Sequence, residues 1–222
     1  MAEIIEEEEL RNKKYVFKDR FHAGKLLALK LKQYHFINPI VLAIPYGGVP
    51  VGKSIARELS YPLELIMVRK IPIPYNPEAG FGAVSWDGEV VINQNLLDQL
   101  SLSNHEIKLT IQRVKLELEK RIQTFGKTLS ELQDRSVIIT DDGLASGYTM
   151  LSSIQSIKKY SPNSITIAVP TASTSAIKLV SAYADMLFCL NIRESMVFAV
   201  ADAYQEWHDL TEQEVKEIIH DK

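Results

Sequence analysis

The chain has 222 residues, with 25 Lys and Arg against 28 Asp and Glu and a formal net charge of −3. That length buries one substantial core, and a single α/β domain over residues 1–222 is expected rather than two domains. The charge balance argues against a nucleic-acid partner, the lone Cys189 excludes an internal disulfide, and neither a signal peptide nor a membrane-spanning run is present, so a soluble cytoplasmic protein is expected.

Residues 1–12 carry the glutamate run Glu6–Glu9 and read as a flexible acidic arm or an exposed helical turn. Asp19 is an N-cap signal for a helix over Arg20–Leu31, where apolar residues recur at helical spacing. His22 and the other histidines show no metal-ligand spacing and read as surface or satisfied side chains. Ile40–Ile44 is a buried strand that runs into Pro45-Tyr46-Gly47-Gly48, and a helix follows over Val49–Leu59. The two glycines allow a backbone to approach a ligand without a Cβ in the way. Leu63–Val68 is the next strand, ending on Arg69-Lys70. Ile71–Ala83 then holds three prolines and two glycines, a composition that predicts a long irregular segment, and such segments tend to be functional or mobile. Asp87-Gly88 is a hairpin turn joining Ala83–Trp86 to Glu89–Ile92. A long helix is predicted from His105 to Phe125, capped by Ser103 or Asn104, with a solvated charged face and a stop at Gly126.

Val137–Thr140 is an apolar β-branched strand, followed by Asp141-Asp142, a loop of small residues and a helical pattern from Gly147. A strand–loop–helix of this kind presents backbone N–H groups and hydroxyls at a helix N-terminus, which suits an anion. The two carboxylates on its rim suit sugar hydroxyls and hydrated Mg²⁺ instead. A ribose 5-phosphate with free 2- and 3-hydroxyls needs both features side by side. Beyond it, Ile165–Pro170 is another buried strand, Ser173 or Thr174 caps a helix, and Asp185–Leu190 is the last strand, with Cys189 a small buried hydrophobe. Thr211 with Glu214 forms a capping box for a final helix.

The run from Val137 to Met150 closely resembles the phosphoribosyl diphosphate (PRPP) binding motif of the type I phosphoribosyltransferases. The resemblance implies that Asp141 and Asp142 hold the ribose hydroxyls and Mg²⁺. It implies that Gly143, Ala145, Ser146, Gly147, Tyr148 and Thr149 wrap the 5-phosphate. Tyr46, Gly47 and Gly48 take the place of the pyrophosphate loop, where the family often has a non-proline cis peptide, here Pro45–Tyr46. Many relatives carry Arg or Lys beside these glycines, and this chain has Tyr46 and Gly47. Arg69 and Lys70 then supply the missing positive charge to the leaving pyrophosphate. The Pro-rich segment corresponds to a flexible loop that closes over the site. It is similar to that of adenine-type enzymes, and more so to a less characterised group sharing Asn76-Pro77-Glu78 and Gly82-Ala83-Val84. Phe198–Leu210 resembles, more loosely, the base-binding hood, implying that Phe198 stacks on the base and Asp202 approaches Mg²⁺.

The implied fold is α/β: a doubly wound, mainly parallel sheet with a flexible loop or hairpin and a small hood over residues 191–222 that includes the C-terminal helix. The implied reaction is displacement of pyrophosphate from PRPP by a nitrogen nucleophile. Relatives that use 6-oxopurines typically have an acid where this chain has Ala145, so another nucleobase is expected. Adenine and orotate types both remain open, and a homodimer is common in the family. The rival expectation is a non-catalytic sensor of PRPP or a nucleotide with the same fold. A different doubly wound nucleotide enzyme has less support: Gly-x-Gly-x-x-Gly does not occur, and Gly47-Gly48-Val49-Pro50-Val51-Gly52-Lys53-Ser54, which does fit Gly-x-x-x-x-Gly-Lys-Ser/Thr, falls mostly in the stretch read as the helix Val49–Leu59 rather than in a loop.

Overall fold

The computed structural model describes the chain except residues 127, 128, 130, 196 and 222 and the side chains of residues 77 and 78. The elements run β1 (Glu3–Glu6), α1 (Arg20–Leu31), β2 (Ile40–Ala43), α2 (Gly48–Leu59), β3 (Leu63–Leu65), β4 (Val68–Ile73), β5 (Asn76–Ser85) and β6 (Val90–Ile92). They continue with α3 (Gln94–Leu97), α4 (Asn104–Phe125), β7 (Ser136–Thr140), α5 (Tyr148–Lys158), β8 (Ser164–Ser173), α6 (Thr174–Ser181), β9 (Met186–Arg193) and α7 (Glu212–His220).

Six strands form a parallel sheet in the order β1-β9-β8-β7-β2-β3. Its inner strands are apolar on both faces because helices cover both. Val41, Ile138, Ala168 and Phe188 meet Leu27 and Leu31 of α1 and Val51 and Ile55 of α2. Leu42, Ile139, Ile167 and Leu187, each next to one of these along its strand, meet Ile154 and Ile157 of α5 and Ile177 and Val180 of α6. This period-two alternation is the doubly wound arrangement expected from the sequence. It brings the carboxyl ends of β2, β7 and β8 to one edge. No helix among the described residues is long and apolar enough to cross a membrane.

Two segments differ from expectation. The acidic arm differs in part: Glu3–Glu6 is an edge strand paired in parallel with Met186–Cys189, whereas Glu8–Leu10 is a 3-10 turn with Glu8 and Glu9 exposed, the helical turn of the alternative expectation. Two of the arm's glutamates are matched by cations, Glu6 by Arg11 at 2.9 Å and Glu7 by Lys30 at 2.6 Å. The Asn191 amide ties down the carbonyls of Leu10 and Lys13. The Pro-rich segment is not irregular. The expected strand Leu63–Val68 divides at Ile66-Met67, and Val68 onward enters a second, antiparallel sheet in the order β4-β5-β6. Prolines are tolerated there because β4 is an edge strand and the register shifts on both sides of Pro72, where a ladder N–H is missing. Val114 and Leu118 of α4 cover this sheet at Ile71, Ile73, Phe81 and Val84.

A polar lock fastens the small sheet to α5. Asp87 accepts from the hydroxyls of Ser85 (2.6 Å) and Ser156 (2.9 Å) and from the Lys159 ammonium (2.9 Å). Burial opposes ionisation of Asp87, but the hydroxyl of Ser85, then Lys159 and Ser156, bring its carboxyl down to about 2. Asp87→Asn is expected to cost about 1.5–3 kcal/mol at neutral pH, the worth of hydrogen bonds to a charged group. The folded value lies below the ordinary 3.8, so the wild-type advantage is complete above that pH and is lost as pH falls toward 2. Urea unfolding of both proteins at pH 7 and at about pH 2.5, inside that window, checks this. An equal gap at both pH values would contradict it.

Candidate functional site

β7 delivers Asp141 and Asp142 to the carboxyl edge of the sheet, beside the turn that follows β2. The Pro45–Tyr46 peptide bond in that turn is cis. The glycines after it pack directly on the acids. A Cβ on Gly47 would stand 1.9 Å from Asp142 Oδ2, and one on Gly48 would stand 2.8 Å from the Thr140 carbonyl oxygen. No side chain fits at either position, which is why two glycines stand there.

A cavity of about 510 Å³ opens beside Asp141. Gly143, Leu144, Ala145, Ser146, Gly147, Thr149 and Met150 form its floor. Lys70, Ala79 and Gly80 of the β4–β5 hairpin form one wall, and Ser175 and Val200 form another. Gly147 adopts φ +80° and hands the chain to α5. First-turn N–H groups of a helix have no partner within it, and no side chain caps α5. This end of the cavity therefore carries a partial positive charge suited to a phosphate. Ser173 Oγ donates to the Ala145 carbonyl (2.6 Å) and bonds the loop to the end of β8.

The two acids have different surroundings. One oxygen of Asp141 accepts from the Asp142 N–H at 2.8 Å, and Asp141 lines the cavity. Asp142 does not line it. Its Oδ2 accepts from Arg20 Nε at 2.9 Å, and its carbonyl accepts from the Tyr204 hydroxyl at 2.6 Å. Burial and the adjacent Asp142 push the Asp141 carboxyl well above the usual carboxylate range. Burial also raises Asp142, against the opposing pull of Arg20.

Among the expected site residues, the structure gathers Asp141, Gly143, Ala145, Ser146, Gly147, Thr149 and Lys70 around one cavity. Gly47, Gly48 and Asp142 lie behind it. The others are placed elsewhere. Arg69 and Lys70 are neighbours in β4, so their side chains leave opposite faces. Arg69 pairs with Glu117 of α4 at 2.6 Å and lines a groove between β4 and α4, which Lys70 also lines, but not the cavity beside Asp141. The Tyr46 ring lies under Arg121, 4.2 Å from the guanidinium, and beside Phe125. Tyr148 is half-buried at the start of α5, where burial raises its phenol. Phe198 packs against the Arg193 guanidinium (5.3 Å), and Val200 reaches the cavity in its place. Asp202 pairs with Lys14 (2.8 Å) and Arg193 (3.3 Å), well engaged and off the cavity wall. The Glu78 side chain lies outside the described residues.

No group of three or more His, Cys, Asp or Glu side chains among the described residues is placed to hold a metal. The donor chemistry still suits Mg²⁺ carried largely by substrate oxygens and water, because that ion is commonly bound through one or two carboxylates plus phosphates. Asp141 is the carboxylate on the cavity wall.

Sequence reading missed Arg20. The signal was present: Arg20 falls on the same helical stripe as Ala23, Gly24, Leu27 and Leu31, all buried. A cation on a buried stripe needs an anion, and Asp142 is that anion.

A family model described as the phosphoribosyl transferase domain matches residues 86–207. A curated relative from Mycobacterium tuberculosis H37Rv, named "Putative phosphoribosyl transferase Rv0571c", is 32% identical over 202 residues, which is 90% of this chain and 45% of the relative. The chain thus spans about half the length of the curated relatives it matches. The crystal structure of TT1426 from Thermus thermophilus is 30% identical, with a TM-score of 0.72 over 91% of this chain and 97% of that one. The AQ2163 protein from Aquifex aeolicus shares the fold at a TM-score of 0.52 and 12% identity, over 78% of this chain and 74% of that one.

Proposed function

Because the chain belongs to the type I phosphoribosyltransferase family, we propose that it transfers the 5-phosphoribosyl group of PRPP to a nitrogen nucleophile with release of pyrophosphate. The observation that carries this reading is that Asp141, the uncapped N-terminus of α5 and Lys70 line one cavity. Asp141 accepts from the ribose hydroxyls. The amides of Ser146, Gly147, Tyr148 and Thr149 and the hydroxyls of Ser146 and Thr149 hold the 5-phosphate. Lys70 offsets charge growing on the departing pyrophosphate. Bound Mg²⁺ would supply further charge neutralisation at the diphosphate. As the acceptor nitrogen bonds to the anomeric carbon, the bond from that carbon to the diphosphate oxygen breaks, and the protein contributes position and charge rather than a covalent intermediate. Ala145 offers no acid to a base nitrogen, which favours an acceptor other than a 6-oxopurine.

Two placements favour a second reading, a sensor that binds PRPP or a nucleotide without turnover. The pyrophosphate turn carries no cation, and Arg69 is committed to Glu117. Pyrophosphate release in the presence of PRPP, Mg²⁺ and adenine, orotate or hypoxanthine separates the two. Transfer predicts release with a nucleobase other than hypoxanthine. PRPP binding with no release for any acceptor would instead support the sensor.

A further inference from the structure

Arg20 is buried, with 7% of its surface exposed, on the side of α1 that faces the sheet. Its Nε donates to Asp142 Oδ2 at 2.9 Å and its Nη1 donates to the His208 carbonyl at 2.9 Å. The guanidinium lies 3.7 Å from the centre of the Trp207 ring. Tyr204, three residues before Trp207, closes the circuit through its hydroxyl on the Asp142 carbonyl. One side chain from the first helix therefore grips the second acid of the motif and the C-terminal segment together. The cavity is left with Asp141.

We infer that Arg20 is a positioning residue for phosphoribosyl transfer: it holds the Asp142 carboxylate away from the cavity, so that Asp141 alone meets the ribose, and it ties that arrangement to the segment Tyr204–His208. The inference rests on the proposed reading of the cavity as a PRPP site. The acidic pair is then asymmetric, one carboxylate presented to substrate and one neutralised in place. A guanidinium suits this task because its planar fork donates along two directions while stacking on an aromatic face, which an ammonium cannot reproduce. Without it, an uncompensated carboxylate would stand beside a substrate that carries several negative charges.

The test is a cycle of Arg20→Met, Asp142→Asn and the double variant, each titrated with PRPP and Mg²⁺ in a calorimeter and checked for fold by circular dichroism. Arg20→Met is expected to weaken PRPP binding roughly 10- to 100-fold, because it frees a negative charge at the site. The double variant, which removes that charge, is expected to recover to within about threefold of Asp142→Asn. A merely structural Arg20 would leave the double variant as weak as Arg20→Met, and that result would overturn the inference. Arg20→Lys keeps the charge and loses the fork, so KM for PRPP should rise more than kcat falls. If Arg20→Met does not fold, Arg20→Lys and its combination with Asp142→Asn take its place in the cycle, with the same expected recovery. Wild-type protein that does not bind PRPP would overturn the reading of the cavity, and this inference with it.

Discussion

Asp141→Asn is expected to lose PRPP affinity by about 100-fold or more, while the folded state becomes no less stable. Hydrogen bonds to a charged acceptor are worth about 1.5–3 kcal/mol each, and two ribose hydroxyls would share this one carboxylate. Asparagine keeps the size but removes the charge and half of the acceptor capacity. Burial and Asp142 already disfavour the ionised form of Asp141, so the amide relieves a cost that the native protein carries for function. Calorimetric titration and urea unfolding of the same samples test both halves. Unchanged affinity would remove Asp141 from the site, and a large loss of stability would mean that the carboxylate is there for the fold.

Gly147→Val is expected to damage both the fold and the phosphate cradle. The residue sits at φ +80°, and its Cβ would stand 3.3 Å from the Cα and Cβ of Ala176. A β-branched residue held in that region costs on the order of 1–3 kcal/mol. The chain can escape the cost only by turning the first amides of α5, which are the groups assigned to the 5-phosphate. A lower unfolding midpoint together with PRPP affinity reduced about 100-fold is the expected pair of results, in line with the loss of several charge-assisted hydrogen bonds. Lower stability with normal binding would show that the cradle lies elsewhere.

The strand–loop–helix around Asp141 was legible because each of its parts has a local cause. β-branched residues select a strand, small residues select a tight loop, and a left-handed position selects Gly147. The parallel sheet followed from the alternation of strands and helices. Features set by tertiary partners were not legible in the same way. Local composition said that Ile71–Ala83 should be irregular, yet α4 supplies an apolar cover that makes it a hairpin. Arg69 and Lys70 looked equivalent until the break at Ile66-Met67 placed both inside β4, where alternation sends them apart. The exposed turn at Glu8–Leu10 was legible as one of the two readings of the glutamate run, but the strand before it was not, because its partners, Arg11, Lys30 and the edge of β9, are visible only once the chain has folded. Phe198 and Asp202 show the same effect over a shorter distance. The buried Arg193, at the end of β9 and beyond the strand Asp185–Leu190 expected from the sequence, engages both.

The measurement that bears most directly on the central claim is calorimetric titration of the wild-type protein with PRPP, with and without Mg²⁺, beside Asp141→Asn as control. The cavity beside Asp141 predicts saturable, Mg²⁺-strengthened binding that the substitution removes. No heat of binding for PRPP under either condition, or equal binding by the two proteins, would contradict it.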